Sequence, residues 1–93
     1  MPAEVRIPSL LQKLVGGAKT VQAEGQTVGQ IIDQLEAKYP DFKSRVLDEN
    51  GKLRLFVNIF INDEDIRFLK ELETPVADGD TITILPAVAG GGK

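Results

Sequence analysis

One stretch of the chain carries the pattern of an amphipathic helix, and this pattern limits the folds that are available. Its apolar residues fall at the spacing of a single helical face, namely Val28, Ile31, Ile32, Leu35 and Tyr39. Thr27 and Gln30 have the spacing of a capping box, and Pro40 is expected to end the helix. Because one apolar stripe must be buried against another element, the helix predicts a sheet packed against it.

The N-terminal part of the chain predicts a β-hairpin. Residues 4–7 and residues 20–23 alternate polar and apolar side chains, which is typical of half-buried strands. Gly16-Gly17 marks a turn between them. We expect residues 9–15 to form a long loop in this hairpin.

The strongest strand signal covers residues 55–61. Side chains alternate in a strand, so its residues divide into two faces. One face is aliphatic and contains Leu55, Val57, Ile59 and Ile61. The other face contains Phe56, Asn58 and Phe60.

Shorter elements surround this strand. Residues 42–46 predict one more helical turn, closed by a turn at Asn50-Gly51. We expect residues 66–68 to form a short edge strand. The last strand covers residues 81–85 and is entered through a tight turn at residues 78–80.

The order of elements is strand, strand, helix, strand, short strand and strand. It predicts an α+β fold of the ubiquitin-like β-grasp type, a mixed sheet with one main helix packed across it. Residues 1–85 are expected to form this domain. Residues 86–93 contain few large side chains and are expected to form a flexible, Gly-rich functional tail.

Composition excludes several classes of function. The chain has 93 residues, a net charge of −3, and neither cysteine nor histidine. Nucleic-acid binding usually requires a basic domain, so nucleic acid is not expected as a partner, and neither is a membrane. Histidine is the commonest general base near neutral pH, and cysteine is the only side chain with a thiol. Because the chain has neither, catalysis by this chain alone is not expected. We expect a soluble, cytoplasmic protein, whose mild acidity would suit a partner with a basic docking surface.

Two motifs that suggest ligand sites fail on inspection. A phosphate-binding loop needs Gly directly before its Lys, whereas Ala18 precedes Lys19. A calcium loop that starts at Asp63 would need Gly and Glu where Phe68 and Thr74 stand. We therefore expect no metal site and no bound cofactor, and any ATP must be bound by another protein.

The tail itself offers a different kind of chemistry. Glycine has no Cβ, so the backbone at Gly90-Gly91-Gly92 can enter a narrow channel of another protein. An extended chain from Pro86 to Gly91 reaches about 20 Å beyond the domain. A terminal glycine carboxylate is also unhindered and is easily attacked once it is activated. Taken alone, the same tail is equally typical of a linker stub.

The C-terminal sequence resembles that of a known family. Residues 82–91 have the sequence ITILPAVAGG and follow Asp78-Gly79-Asp80. This string resembles the C-terminal signature of the MoaD/ThiS family of ubiquitin-like sulfur carriers. Residues 57–68 are most similar to the carriers that serve cysteine synthesis, and the resemblance extends over nearly the whole chain.

The resemblance implies a cycle in which partner enzymes do the chemistry. An E1-like enzyme would use ATP to adenylate the carboxylate of Gly91 and then convert it to a thiocarboxylate. A PLP-dependent cysteine synthase would receive the sulfur. The sequence continues through Gly92-Lys93, which a JAMM-type metalloprotease would first remove. Two alternatives are a molybdopterin synthase small subunit, which docks on a large subunit, and a ubiquitin-like protein modifier.

Partner binding is expected at the face of strand 55–61 that points away from the helix. There Phe56 and Phe60 would lie with Thr81, Thr83 and Leu85 as an exposed apolar patch. The adjoining tail residues Pro86, Val88, Ala89 and Gly90 would enter the partner. An error of one residue in the strand register would reverse the two faces. Alternatively, residues 63–75 would fold over the patch and make it a second small core.

Overall fold

The computed structural model describes residues 2–86, which form a five-stranded mixed sheet with its longest helix packed across one face. In chain order the elements are β1 (Ala3–Arg6), a 3₁₀ helix (Ser9–Val15), β2 (Thr20–Ala23), α1 (Val28–Lys38), α2 (Phe42–Val46), β3 (Val57–Ile61), β4 (Glu64–Asp65), 3₁₀ helices at Ile66–Phe68 and Glu71–Glu73, and β5 (Thr81–Pro86). The strand order is β2-β1-β5-β3-β4. The pair β1 and β5 is parallel and the other pairs are antiparallel. The predicted β-grasp arrangement is confirmed.

The N-terminal hairpin is also confirmed, with a difference in its connection. Strands β1 and β2 pair in register from Ala3 with Ala23 to Arg6 with Thr20. The expected loop over residues 9–15 is instead a 3₁₀ helix. Leu11 and Val15 are buried in the core, so this segment is ordered by packing rather than left as a surface loop.

Helix α1 begins and ends close to where the sequence predicts. The Thr27 hydroxyl accepts a hydrogen bond from Gln30 N at 3.2 Å, and the Gln30 side chain accepts from Gln26 N at 2.8 Å. The second bond falls one residue before the position that a capping box requires. The helix ends at Lys38, two residues before Pro40.

The core lies between α1 and the inner face of the sheet. Both elements contribute fully buried aliphatic side chains, among them Val5, Val28, Ile31, Ile32, Leu35, Ile59, Ile82 and Ile84. Phe42 and Val46 of α2 are also completely buried. The predicted inner face of β3 is therefore confirmed for Val57, Ile59 and Ile61.

Strand β3 starts two residues later than predicted. Val57 N donates to the Arg54 carbonyl at 3.1 Å, which closes a turn with Leu55 and Phe56 at its centre. Leu55 is 84% exposed, so its expected place on the buried face is wrong. A strand-like alternation of side chains does not reveal where a turn interrupts the strand.

The predicted edge strand at residues 66–68 is wrong as well. The edge strand is the two-residue β4, and residues 66–68 form a 3₁₀ turn that Asp65 caps by accepting from Arg67 N at 2.9 Å. Ile66 is completely buried, and a turn at this point brings its side chain into the core.

The last strand extends one residue beyond the predicted domain boundary, because Pro86 still pairs with Val57. Residues 87–93, which include most of the predicted tail, lie outside the described residues. In residues 2–86, no helix has both the length and the apolar character that crossing a bilayer requires.

Candidate functional site

Strand β5 leads directly into the tail, and its neighbours hold it on both sides. Residues 81–83 pair with β1, and residues 82–86 pair with β3. The start of the tail is therefore fixed relative to the domain at Pro86. A partner that acts on the end of the chain meets a well-defined exit point.

The outer face of the sheet, on the side away from α1, brings Phe60 and Leu85 together. Phe60 lies opposite Thr83, and Leu85 lies opposite Asn58, so Phe60 and Leu85 are diagonal neighbours on adjacent strands. Phe60 is half-buried and Leu85 is 44% exposed. The predicted outward direction of Phe60, Thr83 and Leu85 is confirmed.

The alternative in which residues 63–75 cover this face is not what the structure shows. The Thr74 carbonyl accepts from Val28 N at 3.1 Å, at the beginning of α1. The Leu72 carbonyl oxygen lies 3.2 Å from the position that a Cβ on Gly29 would occupy. Residues 72–74 therefore pack against the helix, Arg67 of this segment reaches the outer face at Asn58, and Leu85 stays exposed.

Phe56 belongs to the exit region but not to the sheet. It lies in the turn before β3 and is 65% exposed. Its predicted place in the strand is therefore wrong. Phe56 lines a groove of about 280 Å³ together with Pro8, Leu10, Leu11, Arg45, Arg54, Val57, Ile84 and Pro86. Phe56 therefore lies close to the tail exit because it lines this groove, and not because it belongs to the outer face of β3.

Arg67 connects the turn before β3 to the outer face, and the sequence analysis missed it. One guanidinium nitrogen donates to Asn58 Oδ1 at 2.6 Å, and the other donates to the Arg54 carbonyl at 2.9 Å. These bonds fix the turn that carries Phe56. No local pattern in the sequence links residue 67 to residue 54, because the contact depends on the turn at residues 66–68.

The groups with shifted pKa values lie around α2 and its following turn. The Asp33 carboxylate accepts from Lys43 Nζ at 2.7 Å and raises the pKa of that amine. Hydrogen bonds from the backbone amides of Lys52 and Asn50 lower the pKa of the Asp48 carboxyl. All of these partners connect α1, α2 and the turn at residues 48–52, so they stabilise local structure.

The acidic residues that follow β3 act as turn residues. Asn62 and Asp63 have φ values of 49° and 79°, the left-handed conformation of a tight hairpin turn. Within residues 2–86, no group of three carboxylates is arranged to hold a metal ion. The predicted partner-binding residues Val88, Ala89 and Gly90, and the predicted acceptor Gly91 with its neighbour Gly92, lie outside the described residues.

Comparison with known proteins identifies the family. The model of the ThiS family matches residues 5–91, which is nearly the whole chain and ends at Gly91. The chain belongs to the ThiS family. The matched residues include β5, the outer face of the sheet and Pro86, where the tail begins.

Relatives of this ThiS-family chain are similar over most of its length. The sulfur carrier protein CysO of Mycobacterium tuberculosis is 52% identical and covers 98% of this chain, with all of the relative aligned. The molybdopterin synthase sulfur carrier subunit of the same organism is 36% identical over 72% of this chain and 66% of its own length. In the crystal structure of the Amycolatopsis orientalis BexX/CysO complex, the matching chain is 50% identical, with a TM-score of 0.90 over 96% of this chain and 99% of that one.

Proposed function

We propose that this ThiS-family protein is a sulfur carrier rather than an enzyme, and that its glycine carboxylate carries sulfur as a thiocarboxylate. The observation that carries the proposal is the full-length match to CysO, in which both ends of the aligned relative are included. The domain supports this role because β5 holds the start of the tail at a fixed point. A carrier needs a rigid recognition surface and a narrow reactive end, and the chain supplies both.

The proposed chemistry occurs at the carboxylate and in the partner's active site. A carboxylate oxygen attacks the α-phosphorus of ATP, which forms an acyl-adenylate and releases pyrophosphate. Hydrosulfide delivered by the activating enzyme then attacks the acyl carbon, the C–O bond to AMP breaks, and loss of the sulfur-bound proton leaves the thiocarboxylate. The chain has no cysteine or histidine with which to catalyse either step itself. An E1-like enzyme therefore supplies the nucleotide site and the sulfur.

The reactive carboxylate is proposed to belong to Gly91. The family match ends at this residue, two positions before the end of the sequence. Gly92-Lys93 must then be removed before activation, because an amide carbonyl at Gly91 cannot accept adenylate. A metalloprotease of the JAMM type would free the carboxylate by hydrolysing the bond between Gly91 and Gly92.

Cysteine synthesis is the proposed destination of the sulfur. Identity to CysO is 52% over 98% of the chain, compared with 36% over 72% for the molybdopterin synthase subunit. A PLP-dependent synthase would bind the tail and use the thiocarboxylate sulfur as its nucleophile. The molybdopterin role is the second candidate, because that relative also aligns with the β-grasp domain. A modifier role would instead join the tail to lysines of other proteins.

The proposal is tested by sulfur loading in vitro, followed by mass spectrometry of the protein. A chain that ends at Gly91 is incubated with ATP, sulfide and the E1-like enzyme of the same organism. We expect a mass change that corresponds to one sulfur replacing one oxygen. The matched controls are chains that end at Gly90 and at Lys93, which we expect to remain unchanged. If the Gly91 form also remains unchanged with an activating enzyme that loads its own carrier, the proposal fails.

A further inference from the structure

An apolar groove with a basic rim lies at the tail exit. Leu11, Val57 and Ile84 form its buried floor, and Leu10 is 69% exposed at its edge. Its volume of about 280 Å³ is large enough for one large apolar side chain. Single exposed apolar residues are common, but a concave apolar site beside a functional end indicates recognition.

Two arginines give the rim of this groove a positive charge. Arg45 comes from α2 and Arg54 from the turn before β3, and both are exposed. Within residues 2–86, the ion pairs are Arg6 with Glu4 and Lys43 with Asp33, so neither rim arginine forms a direct ion pair. Arg54 is close enough to interact electrostatically with the Asp48 carboxylate, which leaves Arg45 as the rim arginine without such a neighbour among residues 2–86. Arg54 is oriented by its Nε, which donates to the Ser44 carbonyl at 2.9 Å.

The local charge at the exit is opposite in sign to the charge of the whole chain. The net charge of −3 favours a partner with a basic surface. The groove favours a partner with an acidic surface at this point, because exposed guanidinium groups pair best with carboxylates through bidentate hydrogen bonds. Short-range contacts at the exit are therefore expected to be acidic on the partner's side, whatever the long-range field.

The position of the groove restricts which proteins can cover it. Pro86 is both a lining residue and the last described residue of β5. An extended chain from Pro86 to Gly91 spans about 20 Å at most. An enzyme that holds the Gly91 carboxylate in its active site therefore has the rim of its channel within about 20 Å of this groove.

We propose that the groove receives an apolar side chain of the tail-activating enzyme, and that carboxylates flanking this side chain pair with Arg45 and Arg54. This inference rests on the proposed function, because it names the chemistry of the surface that surrounds the activating enzyme's channel. The apolar contact would provide affinity, and the two charge pairs would set the direction in which the tail enters. The groove thereby adds specificity to the outer face formed by Phe60 and Leu85.

Charge reversal tests the basic rim. The substitution Arg45→Glu is made in the Gly91-terminated chain, and Lys38→Glu is the matched control. Lys38 is exposed and lies in a groove with Pro2 and Ala23, at the opposite end of β1 from Pro8. Each chain is incubated with sulfide, ATP and the E1-like enzyme at low and at high salt, and the rate of sulfur loading is measured by mass spectrometry. We expect Arg45→Glu to raise KM about tenfold at low salt and much less at high salt, and Lys38→Glu to leave KM unchanged.

A second pair of variants tests the apolar floor. Leu10→Ser removes an exposed side chain at the edge of the groove, and Leu55→Ser removes one that is 84% exposed in the adjacent turn but does not line the groove. We expect KM to rise several-fold for Leu10→Ser only. Thermal unfolding of each variant, followed by circular dichroism, confirms that the domain is folded.

The outcomes separate this inference from the proposed function. If the unsubstituted chain gains no sulfur, the carrier function fails before the groove is tested. If the unsubstituted chain is loaded and Arg45→Glu has the same KM as Lys38→Glu, the groove inference is overturned and the carrier function stands. An effect of Arg45→Glu that is equally large at high salt would overturn the pairing with carboxylates.

Discussion

The side chains of Asn62 and Asp80 are joined directly, although the two residues are 18 positions apart: Asn62 Nδ2 donates to Asp80 Oδ1 at 2.9 Å. Asn62 Oδ1 also accepts from Thr81 N at 3.0 Å, and Asp80 Oδ2 accepts from Ala77 N at 2.8 Å. The turn after β3 is thereby attached to the turn that enters β5. These bonds set where the strand that carries the tail begins.

Replacing Asn62 should loosen this attachment. Asn62→Ala removes both side-chain hydrogen bonds and places Ala at a φ of 49°, which is unfavourable for a residue with a Cβ other than Asn or Asp. We expect the free energy of unfolding to fall by about 2–3 kcal/mol, measured by urea denaturation. Asn62→Gly loses the same bonds without the backbone strain, so it should be less destabilised by about 1 kcal/mol. Equal urea midpoints for Asn62→Ala and the unsubstituted chain would contradict this account.

Gly29 is expected to resist the substitution that usually stabilises a helix. In a helix interior, Ala is favoured over Gly by about 1 kcal/mol, and in the first turn, where Gly29 lies, Ala is favoured by less. At residue 29 a Cβ would lie 3.2 Å from the Leu72 carbonyl oxygen, and the hydrogen bond from Val28 N to the Thr74 carbonyl holds that segment in place. We therefore expect Gly29→Ala to lower the free energy of unfolding by about 1 kcal/mol instead of raising it.

The control for this prediction lies on the same helix. Ala37 is exposed in the last turn of α1, so Ala37→Gly should cost up to about 1 kcal/mol through helix propensity alone. Urea denaturation of both variants then separates propensity from the close approach of residues 29 and 72. A higher free energy of unfolding for Gly29→Ala would show that the segment at Leu72 moves aside.

Stability at acid pH should depend on Asp48. Its carboxylate accepts from Asn50 N at 2.8 Å and from Lys52 N at 3.0 Å, and these bonds hold its pKa below the ordinary value. The ordinary pKa applies in the unfolded chain, so the stabilisation is fully present above about pH 5. It is lost as the pH falls through the lowered pKa of the folded state.

The change that tests this is Asp48→Asn, which keeps an acceptor but cannot be ionised. We expect its urea midpoint to fall less than that of the unsubstituted chain between pH 7 and pH 3. Glu49→Gln is the matched control, because the neighbouring Glu49 side chain accepts no hydrogen bond within residues 2–86 and is exposed. Equal pH dependence of Asp48→Asn and the unsubstituted chain would show that these bonds do not favour the ionised form.

The features that the sequence predicts well are those determined by neighbours along the chain. Helix α1 follows from an apolar stripe, a polar cap at Thr27 and a proline, all within 14 consecutive positions. The outward direction of Phe60 follows from strict alternation in β3 once Ile59 and Ile61 are buried. Local patterns of this kind need no knowledge of distant contacts.

The features that were missed depend on contacts between distant residues. Arg67 reaches the Arg54 carbonyl and fixes the turn that removes Leu55 and Phe56 from β3. Arg45 meets Arg54 at the groove only because α2 packs beside that turn. No periodic pattern in the sequence predicts either contact. The roles predicted for Gly90 and Gly91 stay predictions, supported by the family match that ends at Gly91.

Phe60 is expected to anchor the activating enzyme on the outer face of the sheet. It lies opposite Asp65 on β4, so Phe60→Asp would place two carboxylates in one cross-strand pair and weaken the fold. Phe60→Lys avoids this repulsion, because the new charge is opposite to that of Asp65. We expect Phe60→Lys to weaken binding of the Gly91-terminated chain to the E1-like enzyme by about 30-fold in calorimetric titration, as for a buried aromatic anchor. Phe68→Lys is the matched control at a phenylalanine that is 85% exposed beyond β4, and its affinity should change little. Equal affinities for Phe60→Lys and Phe68→Lys, with both domains folded, would show that the enzyme binds elsewhere.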